Sequence, residues 1–344
     1  MERMKKLTQL SYLAAIEHLR GDGGVDALLE LLERAKQVWQ HVPFEMMTQG
    51  LLLHLPLADS QILERPGGML VDDPSELAGY KIDGMTLSST PDGRLKFWPG
   101  IEEGFDPLKS SGLFYRYVHG GRGKEELFLD GNSWTVPDIG WPCSLGVPTY
   151  LRLEACLTRY VKLTRRPDYC AHIAKSWRDA KRIGFLPKPE QHLRRSLHLA
   201  LHYALEGAVV RQEQRQDESK PVDIEVNWLD MRSGAIIEVK WMGRSAAEDA
   251  TEWGTSYDHK RAREGLAQVC DYLDRRRGAT PNMPVMGYIF VFDALRHNVK
   301  VTTESVTRDE GLHFQFEDVV YQPELLARPD VGRPFRCFLE PVID

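Results

Sequence analysis

The chain has 344 residues, 42% hydrophobic and 27% charged, with a formal net charge of −6, the balance of a folded protein with room for two domains rather than of a disordered one. No apolar run approaches the roughly 18 residues that a membrane span needs, and the stretch after Met1-Glu2-Arg3-Met4-Lys5-Lys6 is polar and amphipathic, without the unbroken core of a secretion signal. A cytoplasmic protein with no membrane partner is expected. The five cysteines are odd in number and form no C-x-x-C pair, which speaks against a disulfide framework and against a zinc ribbon.

In chain order, Leu7, Leu10, Leu13, Ala14 and Ile16 recur at helical spacing, Gly21-Asp22-Gly23-Gly24 breaks the pattern, and Val25, Leu28, Leu29, Leu32 and Val38 resume it. From about Gly67 to Trp141 the text changes to turns and short strands. Pro91-Asp92-Gly93 separates Met85–Ser89 from Leu95–Trp98, and a Gly-rich stretch at His119–Gly123 separates Leu113–Val118 from Glu126–Leu129, so two hairpins are expected. The second turn, Gly120-Gly121-Arg122-Gly123-Lys124-Glu125, fails as a phosphate loop, because Glu125 stands where a metal-binding Ser or Thr is needed and no helix pattern follows.

Helices are expected over Thr149–Leu163 and Tyr169–Arg182, then a Pro-rich connector at Gly184–Pro189 and a long helix from Glu190 to Glu206. Strand patterns follow at Ala208–Gln214, Val222–Leu229 and Ala235–Met242, then a helix at Asp258–Arg276 and a strand at Val285–Phe292. Helix, three strands, helix, strand is the order of an α/β domain with helices packed on a mixed sheet. The expected division is a mixed α+β N-terminal domain over 1–145, a basic helical connector over 146–185 and a C-terminal domain over 186–344.

Charge is unevenly spread. From Arg159 to Arg195 there are eleven Lys and Arg against three acids, a local +8 in an acidic chain, which reads either as a phosphate-contacting surface or as solvated helix faces. Arg178, Lys181, Arg182, Arg194 and Arg195 are the candidates for nucleic-acid contact.

The chemistry-bearing constellation lies downstream. Asp223 sits in the strand pattern Pro221-Val222-Asp223-Ile224-Glu225-Val226, and Glu238 and Lys240 sit in Ala235-Ile236-Ile237-Glu238-Val239-Lys240-Trp241. Strand alternation points Glu238 and Lys240 to one side and Val239 to the other. Pairing of the two strands would bring Asp223 to them. The tripeptide acid-x-Lys alone is weak, since it recurs at Asp179–Lys181, Glu218–Lys220 and Asp258–Lys260. Only Glu238–Lys240 follows an apolar β-branched run and a preceding acid-bearing strand. Taken by themselves, Glu238 and Lys240 also read as an ion pair on an exposed strand. In the helix that follows, Gln268 and Tyr272 form a Q-x-x-x-Y spacing that shares one helix face, readable also as plain helix surface and packing. His198 and His202 are four apart on the preceding helix, but Leu199 stands where an H-E-x-x-H site needs its glutamate.

On Asp223, Glu238, Lys240, Gln268 and Tyr272 the stretch from about 190 to 295 resembles the RecB-like branch of the PD-(D/E)xK nuclease superfamily. The resemblance implies a restriction-endonuclease-like α/β/α core and a Mg²⁺- or Mn²⁺-dependent deoxyribonuclease. It implies Asp223, Glu238 and the backbone carbonyl of Val239 as metal ligands, with an additional ligand on the preceding helix, expected at Glu206, with His202 as the alternative. Lys240 would act on the attacking water, and Gln268 and Tyr272 would contact the substrate strand or support the metal. DNA is the implied partner, with a protein partner for the N-terminal domain. An effector subunit of an antiviral-defence or mobile-element system is one setting. The alternative is a nucleic-acid-binding or scaffold subunit with weak or partner-dependent activity.

Overall fold

In the computed structural model the described residues are 2–58, 63, 65–78, 83–103, 105–119, 124–136, 142–166, 170–214, 221–279 and 283–344. They fall into two compact units, one of residues 1–149 with 230–233, the other of 150–229 with 234–344.

The first unit begins with α1 (Glu2–His41), two helices joined at Gly21, whose φ of 64° and ψ of −161° break the helix at the expected Gly-rich stretch. Ile16, Leu28, Leu31, Ala35, Val38 and Trp39 are fully buried, the 3-to-4 spacing of a helix face on a core. The strands are β1 (Gly50–Leu55), β2 (Met69–Val71), β3 (Gly84–Ser89), β4 (Leu95–Pro99), β5 (Leu113–Val118), β6 (Lys124–Leu129) and β7 (Asn132–Val136). They form one sheet in the order β2-β4-β3-β1-β5-β6-β7. β1 and β3 run parallel, and the pairs β3–β4 and β5–β6 are antiparallel, as the two hairpin patterns require. The expected turn at 120–123, including the Gly-rich residues weighed as a phosphate loop, lies outside the described residues. Inside this unit the Trp39 indole donates to the Tyr115 hydroxyl at 3.0 Å, which donates to Glu125 at 2.6 Å, so the buried Glu125 carboxylate belongs to a satisfied polar network.

The second unit contains α2 (Tyr150–Thr164), α3 (Ala171–Ala174), α4 (Glu190–Ala204), β8 (Val209–Gln214), β9 (Val222–Trp228), β10 (Ser233–Ser245), β11 (Thr255–Tyr257), α5 (His259–Ala279), β12 (Val285–Asp293), α6 (Arg308–Leu312), α7 (Pro323–Leu326) and β13 (Phe335–Phe338). The sheet runs β13-β12-β10-β9-β8, with β11 added beside β10. It is mixed: β10–β12 and β12–β13 are parallel, β8–β9 and β10–β11 antiparallel. Helices cover both faces. Ala262, Leu266, Val269 and Leu273 of α5 pack with Ile236, Met242, Ile289 and Val291. The alternate residues Phe290 and Phe292 meet Tyr160 of α2 edge-on at 5.7 and 6.1 Å, and the Tyr160 hydroxyl bonds Ser196 of α4 at 2.7 Å. Because successive strand residues face opposite ways, α5 lies on one face and α2 with α4 on the other. The fold is α/β with a mixed central sheet.

Two expectations change. Residues 146–185 are not a connector, since α2 seals one face of the second unit's sheet. The helix expected over Tyr169–Arg182 is confined to Ala171–Ala174. Beyond it Asp179 accepts from the Ile183 and Gly184 amides at 2.9 and 3.0 Å, Arg182 adopts φ 62°, and Trp177 stacks on Phe185 at 4.3 Å. A side-chain-capped turn competes successfully with helix here.

Candidate active site

β9 and β10 are neighbours, and they bring Asp223 and Glu238 together. Asp223 Oδ2 accepts from the Val239 backbone N–H at 2.8 Å, and its Oδ1 accepts from Arg194 Nη1 on α4 at 2.7 Å. Lys240 Nζ donates to Glu238 Oε1. Asp223, Glu238 and Lys240 are 6%, 2% and 4% exposed, too buried for an incidental pair on a strand surface. Glu238 Oε2 is buried without a hydrogen-bond partner. An ionised carboxylate so placed is costly, and the Glu238 carboxyl is accordingly pushed well above the ordinary carboxylate range, first by burial and then by the Asp223 charge, with Lys240 opposing.

A third acid, on α4, lies in their electrostatic field. Glu190 is raised above its usual pKa by burial and, next, by Asp223, while Lys240, Arg261 and Arg194 pull it down. It therefore shares the electrostatic field of Asp223 and Lys240. Glu190 is the first residue of α4 after Pro189, where the exposed amides of a helix start favour negative charge. The resemblance implies Glu206 as the helix acid instead. Glu206 lies past the far end of this 15-residue helix, on the order of 20 Å away along its axis. Its exposed carboxylate pairs with Arg152 at 2.9 Å, so it is not brought to the cluster.

Gln268 and Tyr272 do share a face of α5. Gln268 Nε2 donates to the Tyr272 hydroxyl at 2.6 Å, and that hydroxyl donates to the Pro221 carbonyl at 3.0 Å. The pair thus ties α5 to the chain two residues before Asp223. Burial raises the Tyr272 pKa, with Glu238 and Asp223 adding to the rise, so the phenol lies in the field of the acids. Val239 contributes its backbone N–H to Asp223. Glu225, two residues beyond Asp223, is held by Arg276 of α5 at 2.5 Å. Lys240 has a close helical neighbour at Gly265: a Cβ there would lie 2.7 Å from Lys240 Cγ and 2.6 Å from Ile289 Cδ1.

The basic candidates separate. Arg194 belongs to the acid cluster through Asp223. Arg178 donates to the carbonyls of Ala247, Val301 and Glu248 at 3.0, 2.6 and 3.1 Å, Lys181 pairs with Asp344, and Arg182 is buried with its guanidinium over the Trp177 ring at 4.9 Å. Arg195 reaches Gln212 at 3.4 Å. Most of these charges are engaged within the fold.

No protein-family model, curated protein or solved structure matches the chain. The residues present nonetheless suit a hard divalent cation. Glu190, Asp223 and Glu238 supply only carboxylate oxygens, the donors that Mg²⁺ and Mn²⁺ take, and the unpartnered Glu238 Oε2 is an acceptor that a cation would satisfy.

Proposed function

We propose that the protein is a metal-dependent deoxyribonuclease of the PD-(D/E)xK type, RecB-like branch, with Glu190, Asp223, Glu238 and Lys240 as its active site. One observation carries the reading: Asp223, Glu238 and Lys240 are buried on adjacent strands, with Glu190 of a helix start in their electrostatic field, and one buried carboxylate oxygen of Glu238 has no hydrogen-bond partner. A divalent cation bound there would lower the pKa of a water and screen the phosphate charge. Asp223 and Glu238 would hold the cation with Glu190 beside them. Lys240 would orient the attacking water and face the charge that develops on the phosphate, while Gln268 and Tyr272 keep the Asp223 strand in place.

A second reading is favoured by two contacts: Arg194 and the Val239 amide already engage both oxygens of Asp223. That arrangement suits a nucleic-acid-binding subunit whose activity waits on a partner. Plasmid cleavage with Mg²⁺ or Mn²⁺, run beside calorimetric Mn²⁺ titration, separates the two. Asp223→Asn and Glu238→Gln should lose both cleavage and tight metal binding. Lys240→Ala should lose cleavage by two or more orders of magnitude, about 3 kcal/mol of barrier or more, and keep metal binding, since a neighbouring ammonium only disfavours a cation. Full cleavage by Lys240→Ala would refute the mechanism. Metal binding by the wild-type protein without cleavage would favour the partner-dependent reading.

A further inference from the structure

A second group of ligating side chains lies away from the carboxylate cluster. His297 follows β12, Asp309 is in α6, and His313 caps the C-terminal end of that helix. One donor atom from each can be chosen so that all three lie within 4.8 Å of one another. Asp309 and His313 are four apart, and His313 keeps helical angles (φ −47°, ψ −48°), so the two side chains project from one helix face. His297 is brought to that face by its own backbone, whose N–H donates to the Glu310 carbonyl at 2.9 Å. Its ring lies parallel to that of His313, centroids 4.1 Å apart and planes 14° apart.

What the three side chains lack is informative. The Nδ1 of His297 is a buried atom with no hydrogen-bond partner. Among the described residues neither Asp309 nor His313 has a side-chain hydrogen bond or ion pair, and Asp309 does not bond either imidazole. The neighbouring polar residues are otherwise engaged: Thr307 and Glu310 cap α6 reciprocally, with Thr307 N donating to Glu310 Oε2 at 2.9 Å and Glu310 N donating to Thr307 Oγ1 at 3.3 Å. A plain histidine–aspartate hydrogen-bonded cluster would have closed these contacts, and a stacked pair of imidazoles next to an idle carboxylate leaves three donors without an occupant.

We propose that His297, Asp309 and His313 form a binding site for a divalent cation of the Zn²⁺ class. Two imidazole nitrogens and one carboxylate oxygen suit Zn²⁺ or Co²⁺ and not the all-oxygen preference of Mg²⁺, so the site is chemically separate from the carboxylate cluster. Zn–N and Zn–O bonds of roughly 2.0–2.2 Å put neighbouring donors on a tetrahedral ion a little over 3 Å apart. Reaching that spacing from separations of up to 4.8 Å requires the parallel His297 and His313 rings to turn toward a common point, with the exposed His313 and Asp309 as the side chains that move. Three protein ligands leave a fourth position for water. The bound ion clips the chain after β12 to α6, whose following residues Phe314 and Gln315 accept from Arg336 of β13.

The test is calorimetric titration of the full-length protein with Zn²⁺ in excess Mg²⁺, which occupies oxygen-only sites, with the thermal midpoint recorded with and without Zn²⁺. The wild-type protein should bind one equivalent with micromolar or tighter affinity and gain a Zn²⁺-dependent rise in midpoint. His297→Gln, His313→Gln and Asp309→Asn should each weaken binding at least tenfold and remove the rise. The metal-free midpoint of Asp309→Asn should stay near wild type, and those of the two His variants should fall only by what the imidazole stack contributes. Asp223→Asn should leave Zn²⁺ binding intact. A wild-type protein that takes up no Zn²⁺, or a His297→Gln/His313→Gln double variant that binds it as well as wild type, overturns the proposal. If His297→Gln alone fails to fold, the exposed His313 and Asp309 variants carry the test.

Discussion

At the residue scale the acids of the second unit differ in what surrounds them, and that difference is testable. Glu190 lies in the field of Asp223 and Lys240, whereas Glu206 is an exposed partner of Arg152, and such surface pairs contribute roughly 0–1 kcal/mol. Glu190→Gln should weaken Mn²⁺ binding and cleavage by an order of magnitude or more, and Glu206→Gln should change neither; equal losses in both variants would remove Glu190 from the site. Glu238 adds a dependence on pH. Its folded pKa is raised above that of the unfolded chain, so its favourable contribution is complete below the ordinary carboxylate pKa. That contribution is lost as pH rises toward the folded value. In EDTA the midpoint of the wild-type protein should therefore fall relative to Glu238→Gln between roughly pH 5 and pH 8. The variant leaves Lys240 with a changed partner, so the informative quantity is the slope of the difference and not its offset. Saturating Mn²⁺ should abolish the slope, because a bound cation keeps the carboxylate ionised. A difference flat with pH in EDTA would show that Glu238 titrates normally.

At the element scale, the order of α4, β8 and β9 explains why the helix acid had to be at the start of α4. β8 and β9 are antiparallel, with Val210 opposite Val226 and Gln214 opposite Val222. His198 meets Val210 and Arg195 meets Gln212, so α4 runs antiparallel to β8 and level with β9. The first turn of α4 is then beside Asp223 and its last turn is far from it. Both strands and the helix were legible from hydrophobic periodicity, and this relation follows from their order. The expectation at Glu206 missed it because it rested on family resemblance rather than on the direction of the chain. Gln268 and Tyr272 were legible as a pair, but their bond to the Pro221 carbonyl depends on the packing of α5 on β9, which no local pattern encodes. Gly265 was likewise invisible: a glycine inside a good helix looks like a defect costing about 1 kcal/mol against alanine, and its reason is the approach of Lys240. Gly265→Ala should therefore gain no stability and should lose about 1–3 kcal/mol by overpacking, with reduced cleavage as Lys240 is displaced. Gly278 lies in the same helix, and a Cβ added there would meet nothing within 4 Å. It is the control, and Gly278→Ala should hold or raise the midpoint. Similar gains at both positions would mean that α5 does not crowd Lys240.

For the molecule as a whole, the question is where its positive charge goes. Counting along the chain identified the +8 segment but could not say which charges are used internally, because their partners lie far away in sequence: Arg178 reaches carbonyls 69 to 123 residues on, and Arg165 reaches Glu340, 175 residues on. Lys162, Arg166, Lys175 and Lys188 of the same segment are exposed. Reversal of Arg178 and reversal of these lysines and arginine should thus act differently. Arg178→Glu removes donors from three carbonyls and should lower stability by about 1–3 kcal/mol, so that any loss of DNA affinity follows unfolding. The Lys162→Glu/Arg166→Glu/Lys175→Glu variant should melt near wild type and bind DNA more weakly. If those residues contact phosphate, the plot of log affinity against log salt should flatten by roughly 0.9 per contact on duplex DNA, since fewer counterions are released. Binding measured across a salt series for wild type and triple variant reads this directly. An unchanged slope would make the exposed part of the segment a solvated face, and the proposed contact with DNA would then have to be sought around Arg194 and Arg261.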